Sequence, residues 1–403
     1  MWFSLSSMVQ PLHIQNAHVW DGHGVERRDP YTSDVLLDKP ANGALKVDLE
    51  GYTIFPGLIN AHDHLELNHY PRSKFREKYD NARQWHEDMN ARLDSEPYKS
   101  LRAYPLEDRL FIGGLKNLLC GAMTVAHHNP PHKALFRKDF PVRVLQKYGW
   151  AHSFYLDSEA AIKSSHEKTP GDAPWFIHLA EGTDEAAAGE YQRLKAMGCV
   201  DHKTAIVHGV GFRPEDVREA IEMVGQMVWC PSTNKYLLGN TADIVMWDSR
   251  LTYVMLGSDS RLTADGDLLD ELRAAMNTGL INDERVLIEM VLANPAQSIT
   301  DVHTGHLAPD AYADWIAYDE SEYLIGLQRA DLALVVKGGV PQIGDPDVMA
   351  KFPHIPTVSA ILDGVPKAIH SDLARRIHQC TLKEPGLEVD ALPTRKFWTW
   401  KRA

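Results

Sequence analysis

Phe55-Pro56-Gly57-Leu58-Ile59-Asn60-Ala61-His62-Asp63-His64 is the stretch on which the reading of this chain turns. A short apolar run ends in two histidines spaced i and i+2. On extended backbone such side chains point the same way, so both imidazoles can reach one metal ion. With 20 histidines in the chain, about one His-x-His arises by accident. The pair therefore acquires weight only from what surrounds it.

Downstream, short apolar runs alternate with longer amphipathic stretches, the pattern of βα units. The runs 58–61, 123–126, 151–156, 175–178, 205–208, 227–230 and 254–257 read as strands, with 142–145 as a weak eighth. Helical periodicity covers 186–197, 214–224, 268–277 and 284–298. Three of the later runs end in ligand-type side chains: His178, His208 and Asp259. In a parallel barrel the C-terminal strand ends meet at one face. His62, His64, His178, His208 and Asp259 are thus expected to converge. Glu181 follows His178 by three residues. A carboxylate there can shuttle a proton at a metal site, while the plainer reading is a first-turn helix glutamate facing the dipole.

Outside this block the character changes. Residues 12–55 carry short alternating runs broken by Gly22, Gly24, Pro40 and Gly43, and hairpin-like runs return at 313–317, 332–336 and 361–364. These read as small antiparallel strands. The expected fold is α/β: a (β/α)8 TIM barrel over 57–300, with one strand weakly marked. The segments 1–56 and 301–403 are expected to pair into a small β-sandwich domain.

The bulk numbers agree with a soluble enzyme of 403 residues. A balance of 42 basic against 55 acidic residues, net charge −13, argues against nucleic-acid or anionic-membrane partners. No apolar run nears the roughly 20 residues that span a bilayer, and the apolar opening Met1-Trp2-Phe3-Ser4-Leu5 lacks the basic flank of a signal peptide. Cys120, Cys199, Cys230 and Cys380 are scattered, as befits buried thiols in a reducing compartment. A cytoplasmic protein is the expectation, with a homodimer as the prior from frequency alone.

Several further residues have two readings. His127 and His128 close a strand, so one of them is expected to line a substrate pocket and the other to satisfy local backbone. Asn234 either contacts substrate or caps its loop. Arg72, Lys74 and Arg76 form either a solvated basic loop or a grip for an anionic substrate group. His69, His86, His303 and His306 show no convergent partners and read as surface or core residues.

Taken together, 55–64 resembles the signature that opens the barrel in the amidohydrolase superfamily. His178-Leu179-Ala180-Glu181 resembles the HxxE element of its cytosine-deaminase and triazine-hydrolase (chlorohydrolase)-like branch. Cys230-Pro231-Ser232-Thr233-Asn234 and Gly257-Ser258-Asp259-Ser260 resemble later elements of that branch. Asn294-Pro295-Ala296 and Tyr312-Ala313-Asp314-Trp315 resemble its last barrel helix and the return into the sandwich; the likeness runs from about Leu12 to Gly364. The resemblance implies a metal held by His62, His64, His178 and Asp259. It further implies His208 beside the attacking hydroxide or the substrate, and Glu181 as the acid for the leaving group, with Asp259 taking the first proton. Binuclear members carry a lysine at the end of the fourth strand; Lys147 lies upstream of 151–156 and Lys163 beyond it, so one divalent ion is expected. Zinc is favoured for histidine-rich ligation, with iron or manganese as alternatives. The implied reaction is hydrolytic deamination of an aminated ring (purine, pyrimidine, pterin or triazine type). Cyclic-amide hydrolysis of the imidazolonepropionase kind is the first alternative, halide release a remoter one, and a non-catalytic scaffold the last.

Overall fold

The computed structural model describes residues 9–247, 254–299 and 303–392. The opening Met1–Leu5 stretch and the end of the C-terminal tail lie outside the described residues.

Eight parallel strands organise the middle of the chain. They are β1 (Leu58–Asp63), β2 (Ala122–His127), β3 (Arg143–Val144), β4 (Gly149–Trp150), β5 (Trp175–Leu179), β6 (Thr204–His208), β7 (Gln226–Trp229) and β8 (Val254–Leu256). They fall into two sheets, β3-β2-β1 and β4-β5-β6-β7-β8, and every pairing within them is parallel. The sheets meet at the β1–β8 side, where Asp63 bridges Asp259 in parallel register and the Asp259 amide donates to the His62 carbonyl at 3.0 Å. Every residue of β1, β2, β5, β6, β7 and β8 is buried. Strands covered on both faces have no polar side to alternate with, which is why they read as continuous apolar runs.

The weak eighth strand exists, but β3 and β4 are two residues each, and only residues 145–148 separate them. The expected strand 151–156 is a correction. Pairing continues through the Ala151 amide on the Phe176 carbonyl, 2.9 Å, to the His178 amide on the His152 carbonyl, 3.0 Å. The chain then turns, because the Asp157 carboxylate accepts the His152 amide at 2.6 Å and the Asp157 amide bonds back to Ser153. Local side-chain acceptors of this kind compete with a strand ladder.

Two expected helices are split. Gly189 divides 186–197 into Glu185–Ala188 and Glu190–Ala196. The span 284–298 breaks into Glu284–Glu289 and Ala293–Ser298, since Pro295 lacks an amide hydrogen and is tolerated only in a first turn. Four helices matter below: α1 (Ala82–Asn90), α2 (Leu106–Leu119), α3 (Pro231–Leu238) and α4 (Leu268–Asn277). At Gly113 in α2 a Cβ would overlap the Leu65 carbonyl, so only glycine lets this helix lie against the turn that follows His64.

The first and last segments do pair: Tyr52–Pro56 runs antiparallel to Trp315–Asp319 inside a nine-stranded sheet. A separate four-stranded sheet contains Leu12–Gln15, and Leu12, Ile14, Ile54, Trp315 and Val336 share one apolar core. Among the described residues no helix is long and apolar enough to cross a membrane.

Candidate active site

The strand ends bring five expected residues to one place. His62 and His178 approach through their Nε2 atoms at 3.2 Å, and His64 and His178 through theirs at 3.3 Å. Asp259 Oδ1 stands 3.8 Å from His62 Nε2 and 3.7 Å from His64 Nε2. Two nitrogens that each bind one tetrahedral zinc at 2.0–2.1 Å lie about 3.3 Å apart. The side chains are therefore already at ligand spacing. His208 Nε2 sits beyond them, 3.6 Å from Glu181 Oε1. Gly257 makes room for this corner, since a Cβ there would come within 2.5 Å of the His62 Cβ.

Hydrogen bonds behind each ring decide which nitrogen is bare. His178 Nδ1 bonds the His152 carbonyl at 3.0 Å, so it carries the proton and leaves Nε2 free. His128 Nε2 bonds the Ala151 carbonyl at 2.9 Å and must carry its own proton there. Its Nδ1 is then an acceptor, 3.3 Å from His62 Nδ1, which obliges His62 also to present a bare Nε2. Asn129 stands against His64 Nδ1 at 3.3 Å. Asp259 Oδ2 accepts the hydroxyls of Thr233 and Thr263, each at 3.0 Å, and Oδ1 remains for the site. Such partners fix ligand orientation and basicity. His62, His128 and His178 also present ligand atoms within 4.8 Å of one another, but His128 has spent both ring nitrogens as described.

Charge follows burial. His62, His64 and His178 are pushed well below the usual imidazole value by desolvation, reinforced by their neighbouring rings, so all three are neutral donors of lone pairs. Burial lowers His208 to about 4. The same burial raises Asp259 to about 6 and holds Glu181 well above the carboxylate range, with Asp259 and then Glu190 adding repulsion. Burial thus favours the protonated form of Glu181. Backbone strain gathers here too: His208 has φ 77° and Asp259 φ 50°, left-handed values that a bulky or branched side chain adopts only when its surroundings impose it.

No family model and no curated protein sequence matches the chain. Solved structures do. A zinc-bound adenosine deaminase from Xanthomonas campestris superposes with a TM-score of 0.64 at 16% identity, over 85% of this chain and 98% of that one. A triazine hydrolase from Arthrobacter aurescens gives 0.65 at 15% identity, over 86% and 99%. The aminofutalosine deaminase of Helicobacter pylori gives 0.56 at 14% identity, over 82% and 99%. All three are amidohydrolase-superfamily proteins.

This chain has the amidohydrolase fold.

The remaining expected residues fall differently. The cavity beside the histidine corner, about 210 Å3, is lined by neither His127, His128 nor Asn234. His127 Nδ1 accepts the Leu65 amide, His128 stands behind His62, and the Asn234 carbonyl oxygen faces His208 Nδ1 at 2.9 Å. Arg72 bonds the Thr263 carbonyl and pairs with Asp265, Lys74 bonds the carbonyls of Glu77 and Tyr236, and Arg76 pairs with Asp88. These three side chains tie their own loop to its neighbours, and none of them lines that cavity. His86, read as a surface or core residue, does line the cavity, with Trp85, His152 and Tyr155. No sequence signal marked His152, because the two-residue strand before it has no period. Beneath the site, Lys116 and Asp63 form a fully buried ion pair at 2.8 Å, which Asn68 and Asn117 complete on the carboxylate. A lone lysine in an apolar helix pattern gives no hint of that partner.

Proposed function

We propose that the chain is a metal-dependent hydrolase that deaminates a small aminated heterocycle. The observation that carries this reading is the meeting of three bare imidazole nitrogens and one carboxylate oxygen at ligand spacing, beside a buried carboxyl group whose protonated form burial favours. His62, His64, His178 and Asp259 would hold one divalent ion, for which zinc suits the donors best. The chemistry such an ion supplies when bound is Lewis acidity, which brings the pKa of water near neutrality.

The chain's own groups do the rest. Asn234 donates its amide hydrogen to Thr241, whose hydroxyl oxygen also takes the Trp229 indole N–H at 2.7 Å. That leaves the Asn234 carbonyl oxygen for His208 Nδ1–H, so His208 offers Nε2 as an acceptor and holds the attacking water by its proton. Asp259 Oδ1 faces the same place and takes up a proton. Glu181 gives one to the departing nitrogen, a step commonly worth about 10²–10⁴-fold. Asn234 and His128 are in this reading positioning residues, behind His208 and His62 respectively. In this reading the two parallel sheets curve round the site as the wall of one eight-stranded barrel, and the described parts of the first and last segments pair beside it as a separate β domain. The deaminase and hydrolase names among the structural neighbours support the choice of reaction.

Glu181→Gln tests the assignment. It is expected to keep its metal while ammonia release across a panel of aminated purines, pyrimidines, pterins and triazines falls at least about 100-fold. Full activity in that variant removes Glu181 from the mechanism.

A further inference from the structure

Strands β5 and β6 pair in register as far as Leu179 and His208, and there both leave the ladder. The first residue past β5, Ala180, turns left-handed with φ 53°, and His208 itself has φ 77°. Ala180 is 1% exposed. Its amide is shut off from bulk water and has no further strand to bond, so it needs an acceptor from elsewhere. Glu190 supplies one, accepting the Ala180 N–H on Oε2 at 2.7 Å. The break at Gly189 makes Glu190 the first residue of the helix Glu190–Ala196.

Little else engages this carboxyl group. Among the described residues it enters no ion pair, and Arg193, nearly one turn on, is paired with Glu159 at 2.6 Å. Glu190 stands instead in the wall of a second cavity, of about 300 Å3, which also contains Tyr155, His178 and Glu181. Burial drives Glu190 up to about 7, and the Ala180 amide is the strongest influence holding it down. Desolvating a carboxyl group for one backbone amide gains little stability. Its significance lies in what that amide precedes.

The next residue is Glu181. Backbone contacts pin the turn around it: the Gly211 amide donates to the Ala180 carbonyl at 2.8 Å, and the Ala82 amide to the Glu181 carbonyl at 2.9 Å. Asn81 and Gly182 add an antiparallel bridge. Glu190 joins these contacts from its side chain, on the peptide whose plane sets the left-handed turn. The turn in turn places Glu181 Oε1 3.6 Å from His208 Nε2.

We infer that Glu190 is a positioning residue for the reaction: by holding the Ala180 amide it keeps the turn that aims the Glu181 carboxyl group at His208 and the ligand corner. The inference rests on the reading of Glu181 as the acid for the leaving group. It does not depend on the ionisation of Glu190, because both forms of a carboxyl group keep an oxygen that accepts an N–H. Glutamine keeps such an oxygen, whereas leucine keeps the bulk without it.

The test compares zinc-loaded wild type, Glu190→Gln and Glu190→Leu, with Glu190→Ala in place of the leucine variant if that one does not fold. Crystal structures are read for the Glu181 carboxyl group, and kinetics for the fastest-deaminated ring of the aminated-heterocycle panel. Glutamine is expected to leave Glu181 in place and kcat within about threefold of wild type. Leucine is expected to move Glu181 Oε1 beyond about 5 Å from His208 Nε2 and to lower kcat at least about 30-fold, with KM and metal content little changed. In the Glu181→Gln background Glu190→Leu should cost less than about twofold more, since its effect passes through the missing acid. Leucine protein with Glu181 still in place, glutamine as damaging as leucine, or a full second loss in the Glu181→Gln background overturns the inference. If Glu181→Gln turns over at the wild-type rate, or no ring of the panel reacts, the catalytic reading falls. The crystal structures then decide by themselves whether Glu190 holds the turn.

Discussion

His128 donates Nε2–H to the Ala151 carbonyl and can only accept at Nδ1, which makes His62 expose its Nε2. Asn234 acts on His208 in the same manner. Replacing Asn234 by leucine keeps the volume and removes the acceptor. The variant is expected to lose about 10- to 100-fold in kcat, with KM and metal content little changed, as steady-state kinetics and metal analysis would show. A rise in KM with kcat unchanged would instead return Asn234 to substrate binding. Beneath the ligands, Lys116 is the positive partner of the buried Asp63 carboxylate. Lys116→Met leaves that charge unpaired and is expected to destabilise the fold by about 3–5 kcal/mol, read by denaturant unfolding. Adding Asp63→Asn should recover much of the loss. The candidate ligands were legible in the sequence because they follow the ends of apolar runs. Lys116, His152 and His86 were not, since their partners are set by tertiary packing.

At the scale of elements, the buried parallel strands were legible for a simple reason: apolar runs of four to six residues punctuated by a histidine have few other readings. β3 and β4 are too short to show any period, and the Asp157 turn hid where the second of them stops. The wall built by α1 was illegible too, because it belongs to a long excursion after β1 that folds back over the strand ends. Helix α3 lacks a capping side chain of its own; Glu271 from α4 serves instead, accepting the Ser232 amide at 2.9 Å and its hydroxyl. Burial raises Glu271 from 4.5 to about 8. The folded state therefore holds a proton that the unfolded chain releases, and this contribution to stability falls as pH rises from 4.5 to about 8. Glu271→Gln can keep the bond from the Ser232 amide and reverse the one to its hydroxyl, without the ionisation. Its melting temperature relative to wild type should climb between pH 5 and 8 and level off above; a constant offset across that range would contradict the assignment.

Across the whole molecule, the strand ends come from residues far apart in sequence, and the site depends on all of them staying in register. Arg143 on β3 grips Asp314 at 2.7 Å and 3.3 Å, tying the parallel strands to the returning C-terminal segment. The pairing of first and last segments could be anticipated from their shared hairpin character, whereas a nine-stranded sheet could not, because its order is a matter of long-range register. A divalent ion held by four residues from the ends of β1, β5 and β8 would stabilise the native state by mass action, about 2.7 kcal/mol at a hundred times Kd. The decisive measurement is metal stoichiometry by mass spectrometry on zinc-reconstituted protein, comparing wild type, Glu181→Gln and His178→Ala. One ion per chain is expected in the first two and close to none in His178→Ala. Wild-type protein that takes up no metal, or His178→Ala protein that keeps its full complement, would contradict the account.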